Sequence, residues 1–196
     1  MTLWVWLKVY ILALVSYNSA GDKMSVIPIR VLPDPILRQK SKRVRIIDSS
    51  VKKLIDDMIE TMHAVPWRVG LAAPQVGVSL RMFVIGIPGE EDIALINPEI
   101  VWRTGERLVD EGCLSIPGFI GQIKRAVSVK VKGRDQNGKE IRIKANDLLS
   151  QALEHEIDHL NGVLYIDYLE SMDKLHKIEL EETQLKAGLF TVRLLH

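Results

Sequence analysis

From Asp48 onward, apolar residues recur at intervals of three and four: Val51, Leu54, Ile55, Met58, Ile59 and Met62. That spacing lines one face of an α-helix, and Asp48-Ser49-Ser50 supplies side chains suited to capping its start. The helix is predicted to end before the glycine-rich stretch VGLAAPQVG at residues 69–77. Upstream, residues 26–32 (VIPIRVL) read as a short edge strand because of their proline, and Pro33-Asp34-Pro35 as a turn or extended loop. Residues 82–87 and 94–96 are predicted as buried strands, the second ending at Asn97-Pro98.

Alternation takes over further along. Val127, Val129 and Val131 alternate with polar residues, as do Ile141 and Ile143, across a turn holding Asn137-Gly138. This is a hairpin pattern. A second helix is expected to start at Asn146 or Asp147 and to stop around Asn161-Gly162. A last amphipathic segment at residues 171–186 is expected to open a C-terminal helical tail spanning 171–196. No repeat or linker interrupts the chain, which reads as a single α+β domain.

Composition adds limits. The chain has 196 residues, 47% apolar and 26% charged, which suits one domain with a sizeable core. A net charge of +1 gives no global field favouring nucleic acid, and the basic run at residues 38–45 reads as a solvated loop face. The single cysteine, Cys113, excludes an intrachain disulfide and is compatible with a reducing compartment. Residues 1–15 are strongly apolar and interrupted only by Lys8. They are shorter than the roughly 20 residues of a membrane span and lack the basic start of a secretory signal.

The candidate chemistry lies in QALEHEIDHL, residues 151–160. On a helix, His155 and His159 stand one above the other and offer two imidazole nitrogens to one metal ion, with Glu156 beside them as general base. An ordinary exposed helix explains the same residues unless a third ligand is found. A metzincin-like peptidase would place a histidine three residues after Gly162, where this chain has Tyr165. His63, His176 and His196 stand in helical or terminal contexts with no metal-site pattern. Cys113 is the better candidate, because its neighbours Glu111, Gly112 and Ser115 are not an apolar run. An inert buried thiol is the competing reading. A Cys-His-His set leaves a fourth position open, as a catalytic site requires. The fold that follows is α+β, a single domain of short antiparallel sheets packed around a central metal-binding helix.

Three segments in order, GLAAPQ (70–75), EGCLS (111–115) and HEIDH (155–159), resemble the motifs of the peptide deformylase family. The likeness covers about residues 25–170 and includes PDPILR and LINPEI. It implies removal of the formyl group from N-terminal formylmethionine of newly made chains. Cys113, His155 and His159 would hold one divalent metal ion, Fe²⁺ in the family's physiological form, with Zn²⁺, Ni²⁺ or Co²⁺ replacing it in preparations. A metal-bound water would attack while Glu156 acts as base, and Gln75 and the Leu114 N–H would serve the oxyanion. An extended formyl-peptide would pair with Val69 and Gly70, and Leu148 and Ala152 are candidates for its methionine pocket.

The implied partners are N-formylmethionyl nascent peptides and, as a further candidate, the ribosome, without direct nucleic-acid readout. Oligomeric state is left open. Two positions depart from the family pattern: Arg68 stands where a glycine is usual, and Glu154 where glutamine is common. Rival readings are a zincin-like metallopeptidase and a catalytically weak formyl-peptide or ribosome-binding relative. The family core is expected over residues 24–170, so Met24 stands where such a chain would start. Residues 1–23 are then an untranslated or dispensable extension, a targeting or secretory segment, or an added apolar helix. The expected location is the cytoplasm of a bacterial-type cell, or an organelle if residues 1–23 are a targeting segment.

Overall fold

The three-and-four pattern forms helix α1 (Ser49–His63), with Val51, Ile55, Met58 and Met62 buried. Asp48 caps it, its Oδ1 accepting the N–H groups of Ser50 and Val51 at 3.0 Å each. These details come from a computed structural model that describes residues 26–64, 69–179 and 193–194. Residues 1–23, Arg68 and His196 lie outside it, as does most of the expected C-terminal tail.

Strands β1 (Gly70–Ala72), β2 (Met82–Ile85), β3 (Ile93–Thr104), β4 (Arg107–Cys113) and β5 (Ile116–Arg125) follow α1. The predicted hairpin supplies β6 (Ser128–Arg134) and β7 (Glu140–Asn146), with Gly138 at a φ of 82° in its turn. Helix α2 (Asp147–Leu160) carries both histidines and is followed by β8 (Leu175–Glu179) and β9 (Arg193–Leu194). The strands make two antiparallel sheets, one ordered β1-β2-β3-β6-β7 and the other β4-β5-β8-β9.

Burial explains why α2 sits at the centre. Ala152, Leu153, Ile157 and Leu160 pack against Phe83, Ile85, Leu95, Val129 and Val131 on one face of the first sheet. On the opposite face, α1 covers β1 and β2 through Leu71, Met82 and Val84. A third cluster joins Val109, Cys113, Ile116 and Ile123 of the second sheet to Leu164 and Tyr165. The α+β class and the central helix match the expectation.

Three sequence expectations are corrected. Residues 26–32 form no ladder; their N–H groups go to three separate places. Ile27 donates to Thr61 Oγ1 at 3.0 Å, Arg30 to the Gln75 carbonyl at 2.7 Å and Leu32 to the Ser115 carbonyl at 3.0 Å. Strand β3 does not stop at Asn97-Pro98 but passes through it with a register shift between Ile96 and Glu99. Asn97 takes a φ of 53°, and its amide exchanges bonds with the Val44 backbone at 2.9 and 2.8 Å, which fixes the bulge. Residues 175–179, expected to be helical, are a strand instead. The outer edge of β5 takes them up, pairing Ile120 with His176 and Gly121 with Leu175.

Candidate metal centre and active site

Helix α2 brings His155 and His159 together because four residues make about one turn. Their Nε2 atoms lie 3.2 Å apart. Strand β4 delivers Cys113 from the other sheet, its Sγ 3.2 Å from His159 Nε2. A register shift between Gly112 and Cys113 and the tight Leu114-Ser115 turn aim the sulfur inward. The three ligand atoms all lie within 4.8 Å of one another. A tetrahedral ion with bonds of about 2.0–2.3 Å separates its ligands by roughly 3.3–3.8 Å, so the spacing fits one ion.

The charges fit as well. Burial works against ionisation of Cys113, but His159 and His155 hold its thiol well below the usual range. The Ser115 N–H at 3.4 Å and the Gln75 amide at 3.5 Å also face the sulfur. On the far side, His155 Nδ1 bonds the Glu111 carboxylate. Burial alone would raise Glu111, yet the bonds from His155 and Arg125 bring it down to about 2. Thiolate and carboxylate thus gather around the two imidazoles, a donor set that suits a divalent cation.

Glu156 is buried beside this set, and its Oε2 has no partner among the described residues. Burial pushes its carboxyl up to about 7, opposed by His155 and His159 and helped by Cys113 and Glu111. A carboxylate of that strength can both take and return a proton near neutral pH. Gly70 packs so close that a Cβ there would run into the Glu156 carboxylate. Gln75 is also buried; its Oε1 accepts the Ala72 N–H at 2.9 Å, which turns Nε2 toward Cys113 and Ser115. Among the described residues the Leu114 N–H has no backbone acceptor.

The residues expected to meet substrate are less closely gathered. Val69 leads into β1 and Gly70 opens it; β1 is the edge strand of its sheet, and among the described residues its ladder partner is β2 alone. Ala152 is buried in the core beside Phe83 and Ile85, whereas Leu148 in the first turn of α2 is 48% exposed.

Sequence reasoning missed the frame behind the ligands. Arg125 donates to both Glu111 oxygens, at 2.9 and 2.8 Å, and to Asp158 at 2.6 Å. It stacks 4.9 Å from the Tyr168 ring, and Tyr168 donates to Asp158 at 3.1 Å. The available signal was alternation: Arg125 is two residues beyond Ile123 and shares its inward position on β5. Glu154 is structural, accepting the Ala126 N–H at 2.8 Å and Arg103 Nε at 2.9 Å. Arg103 answers the charge that a glutamine there would lack.

Fold and site together define a metal-dependent hydrolase. Residues 26–175 match the family described as polypeptide deformylase. A peptide deformylase of Dehalococcoides mccartyi is 55% identical over 156 residues, covering 79% of this chain and 93% of the relative. That of Halothermothrix orenii is 51% identical over 145 residues, covering 74% and 94%. The crystal structure of the Legionella pneumophila enzyme superposes with a TM-score of 0.73 at 46% identity, covering 76% and 89%. That of Synechococcus elongatus in complex with actinonin gives 0.73 at 36%, covering 90% and 95%. The chain belongs to the peptide deformylase family.

Proposed function

We propose that this enzyme removes the formyl group from the N-terminal formylmethionine of newly synthesised chains. The observation that carries the reading is the buried Glu156, its open Oε2 beside the Cys113-His155-His159 set. A divalent cation held by those three residues supplies Lewis acidity toward water and the formyl oxygen, and Fe²⁺ is the ion proposed.

The protein groups then divide the work. Glu156 takes the proton of the attacking water and returns it to the leaving amine. Gln75 Nε2 and the Leu114 N–H donate to the oxygen that becomes negative as the formyl carbon turns tetrahedral. Both donors are fixed beforehand, Gln75 by the Ala72 N–H and Leu114 by its tight turn. The peptide lies along the free edge of β1 at Val69 and Gly70, in the manner of strand addition. Leu148 and Ala152 take its methionine side chain, and burial between helix and sheet keeps bulk water away from Glu156. The setting proposed is the compartment where formylated chains are made, a bacterial-type cytoplasm or an organelle.

The test is direct. Protein purified without oxygen should hold about one equivalent of iron and release formate from a formyl-Met tripeptide. The unformylated peptide should yield nothing. Release of amino acids rather than formate would assign the site to peptide cleavage instead.

A further inference from the structure

The outer face of the first sheet carries charges that its own stability does not ask for. On β6 the side chains of Val129 and Val131 turn in toward α2, so Lys130, Lys132 and Arg134 turn out. The register sets Lys130 opposite Lys144 and Lys132 opposite Arg142. Like charges placed directly across a ladder destabilise it. Helix α1 covers β1, β2 and the start of β3 at Ala94 and Ile96 on this face, and among the described residues no part of β6 or β7 belongs to that cluster.

Beside that face runs a groove of about 850 Å³ lined by Lys42, Arg43, Arg45, Leu80, Asn97 and Arg134. Arg134 belongs to both surfaces, and Glu99 joins them by pairing with Arg43 at 3.0 Å and Lys132 at 2.9 Å. Among the described residues of β3, β6 and β7 the other acid on the face, Glu140, is paired with Arg142. Among the described residues no carboxylate pairs with Lys42, Arg45, Arg134 or Lys144. Trp102 is 41% exposed on the same face, with the Lys130 ammonium 4.9 Å from its ring. A chain with a net charge of +1 has concentrated positive charge here.

We infer that this face and groove bind the phosphate backbone of RNA, without reading its bases. Cations two residues apart on a strand repeat at about 6.6 Å, a regular row suited to a polyanion with regularly spaced charges. An exposed indole beside them offers a stacking surface for a base. A flat lipid bilayer cannot enter the groove, whereas a nucleic acid strand can. The surface lies on the opposite side of the sheet from α2, so bound RNA leaves the metal centre open. For an enzyme whose substrate emerges from a ribosome, such contact would hold it near its supply. The binding itself needs no turnover and stands or falls apart from the proposed chemistry.

The experiment measures fluorescence anisotropy of a labelled single-stranded RNA of mixed sequence with the metal-loaded protein over a range of salt. Affinity should fall steadily as salt rises, independent of sequence. The variant Arg45→Glu/Arg134→Glu/Lys144→Glu should bind at least about tenfold more weakly, with an unchanged far-ultraviolet circular dichroism spectrum. The neutral set Arg45→Gln/Arg134→Gln/Lys144→Gln, which is gentler on folding, should show a smaller loss in the same direction. Lys53→Glu, on helix α1 and outside the lining named above, is the control. Absence of binding at low salt would overturn the inference, and so would an equal loss in the Lys53 control. Tighter binding to phosphatidylserine vesicles than to RNA, lost in the same variants, would overturn it in favour of a membrane surface.

Discussion

Glu156 combines burial with an unpartnered oxygen, and that pairing makes it the sharpest point for mutation. Glu156→Gln keeps the shape but cannot accept a proton. It should retain a full complement of metal while formate release slows about a hundredfold or more. Gly70 offers a subtler test of the same carboxylate, through its other oxygen. Gly70→Ala puts a methyl group against the carboxylate. Turnover should drop by about tenfold or more with metal content unchanged, because a misplaced base costs rate rather than binding; a wild-type kcat would show that the carboxylate yields freely. At this scale the sequence was legible where chemistry follows spacing. His155, Glu156 and His159 announce themselves by helical periodicity. Cys113 was a candidate from its polar neighbours and Gln75 only from motif resemblance, since 38 positions separate the two and only folding joins them. Arg125 showed only the alternation that turns it inward with Ile123, and a buried cation is recognisable as such only beside its carboxylates.

Among the elements, those built from local signals were read correctly and those built from distant pairing were not. Helix α1, the β6-β7 hairpin and α2 each carry their own caps, turn glycine or period. By contrast, β8 exists because β5 has an open edge 50-odd residues away, as Phe119 pairs with Lys177. Residues 175–179 could satisfy either period, and the edge decided. Strand β3 similarly crosses a proline that alone argues for a stop, because Asn97 finds Val44. A local cap can be tested through pH. The hydrogen bonds from Ser50 and Val51 hold the Asp48 carboxyl below its ordinary value of 3.8. Its folded pKa is therefore depressed, so its stabilisation is present above about pH 4 and fades as pH falls through the folded value. Asp48→Ala should lower Tm by a few degrees at neutral pH, and the gap from wild type should narrow in acid. A gap that widened on acidification would contradict the cap.

For the whole molecule, the decisive feature is the bridge between the second sheet and helix α2. Arg125 reaches from β5 to Glu111 on β4, the strand that ends in Cys113, and to Asp158 on α2, between the turns of both histidines. Removing the cation would strand two buried carboxylates. Arg125→Met should cost about 3–5 kcal/mol in urea unfolding, the usual scale for breaking one side of a buried pair. Chelation asks less of the protein. A metal that binds only the folded state adds stability by mass action, so stripping it should lower Tm while leaving the far-ultraviolet circular dichroism unchanged. Cys113→Ala should hold little metal, and chelator should leave its Tm where it was. Arg125 clamps the ligand-bearing strand to the ligand-bearing helix through protein atoms alone, so the frame outlasts its occupant. One ion can be swapped for another without refolding, and the rates obtained with different ions then compare the ions themselves, each held in the same unaltered mould.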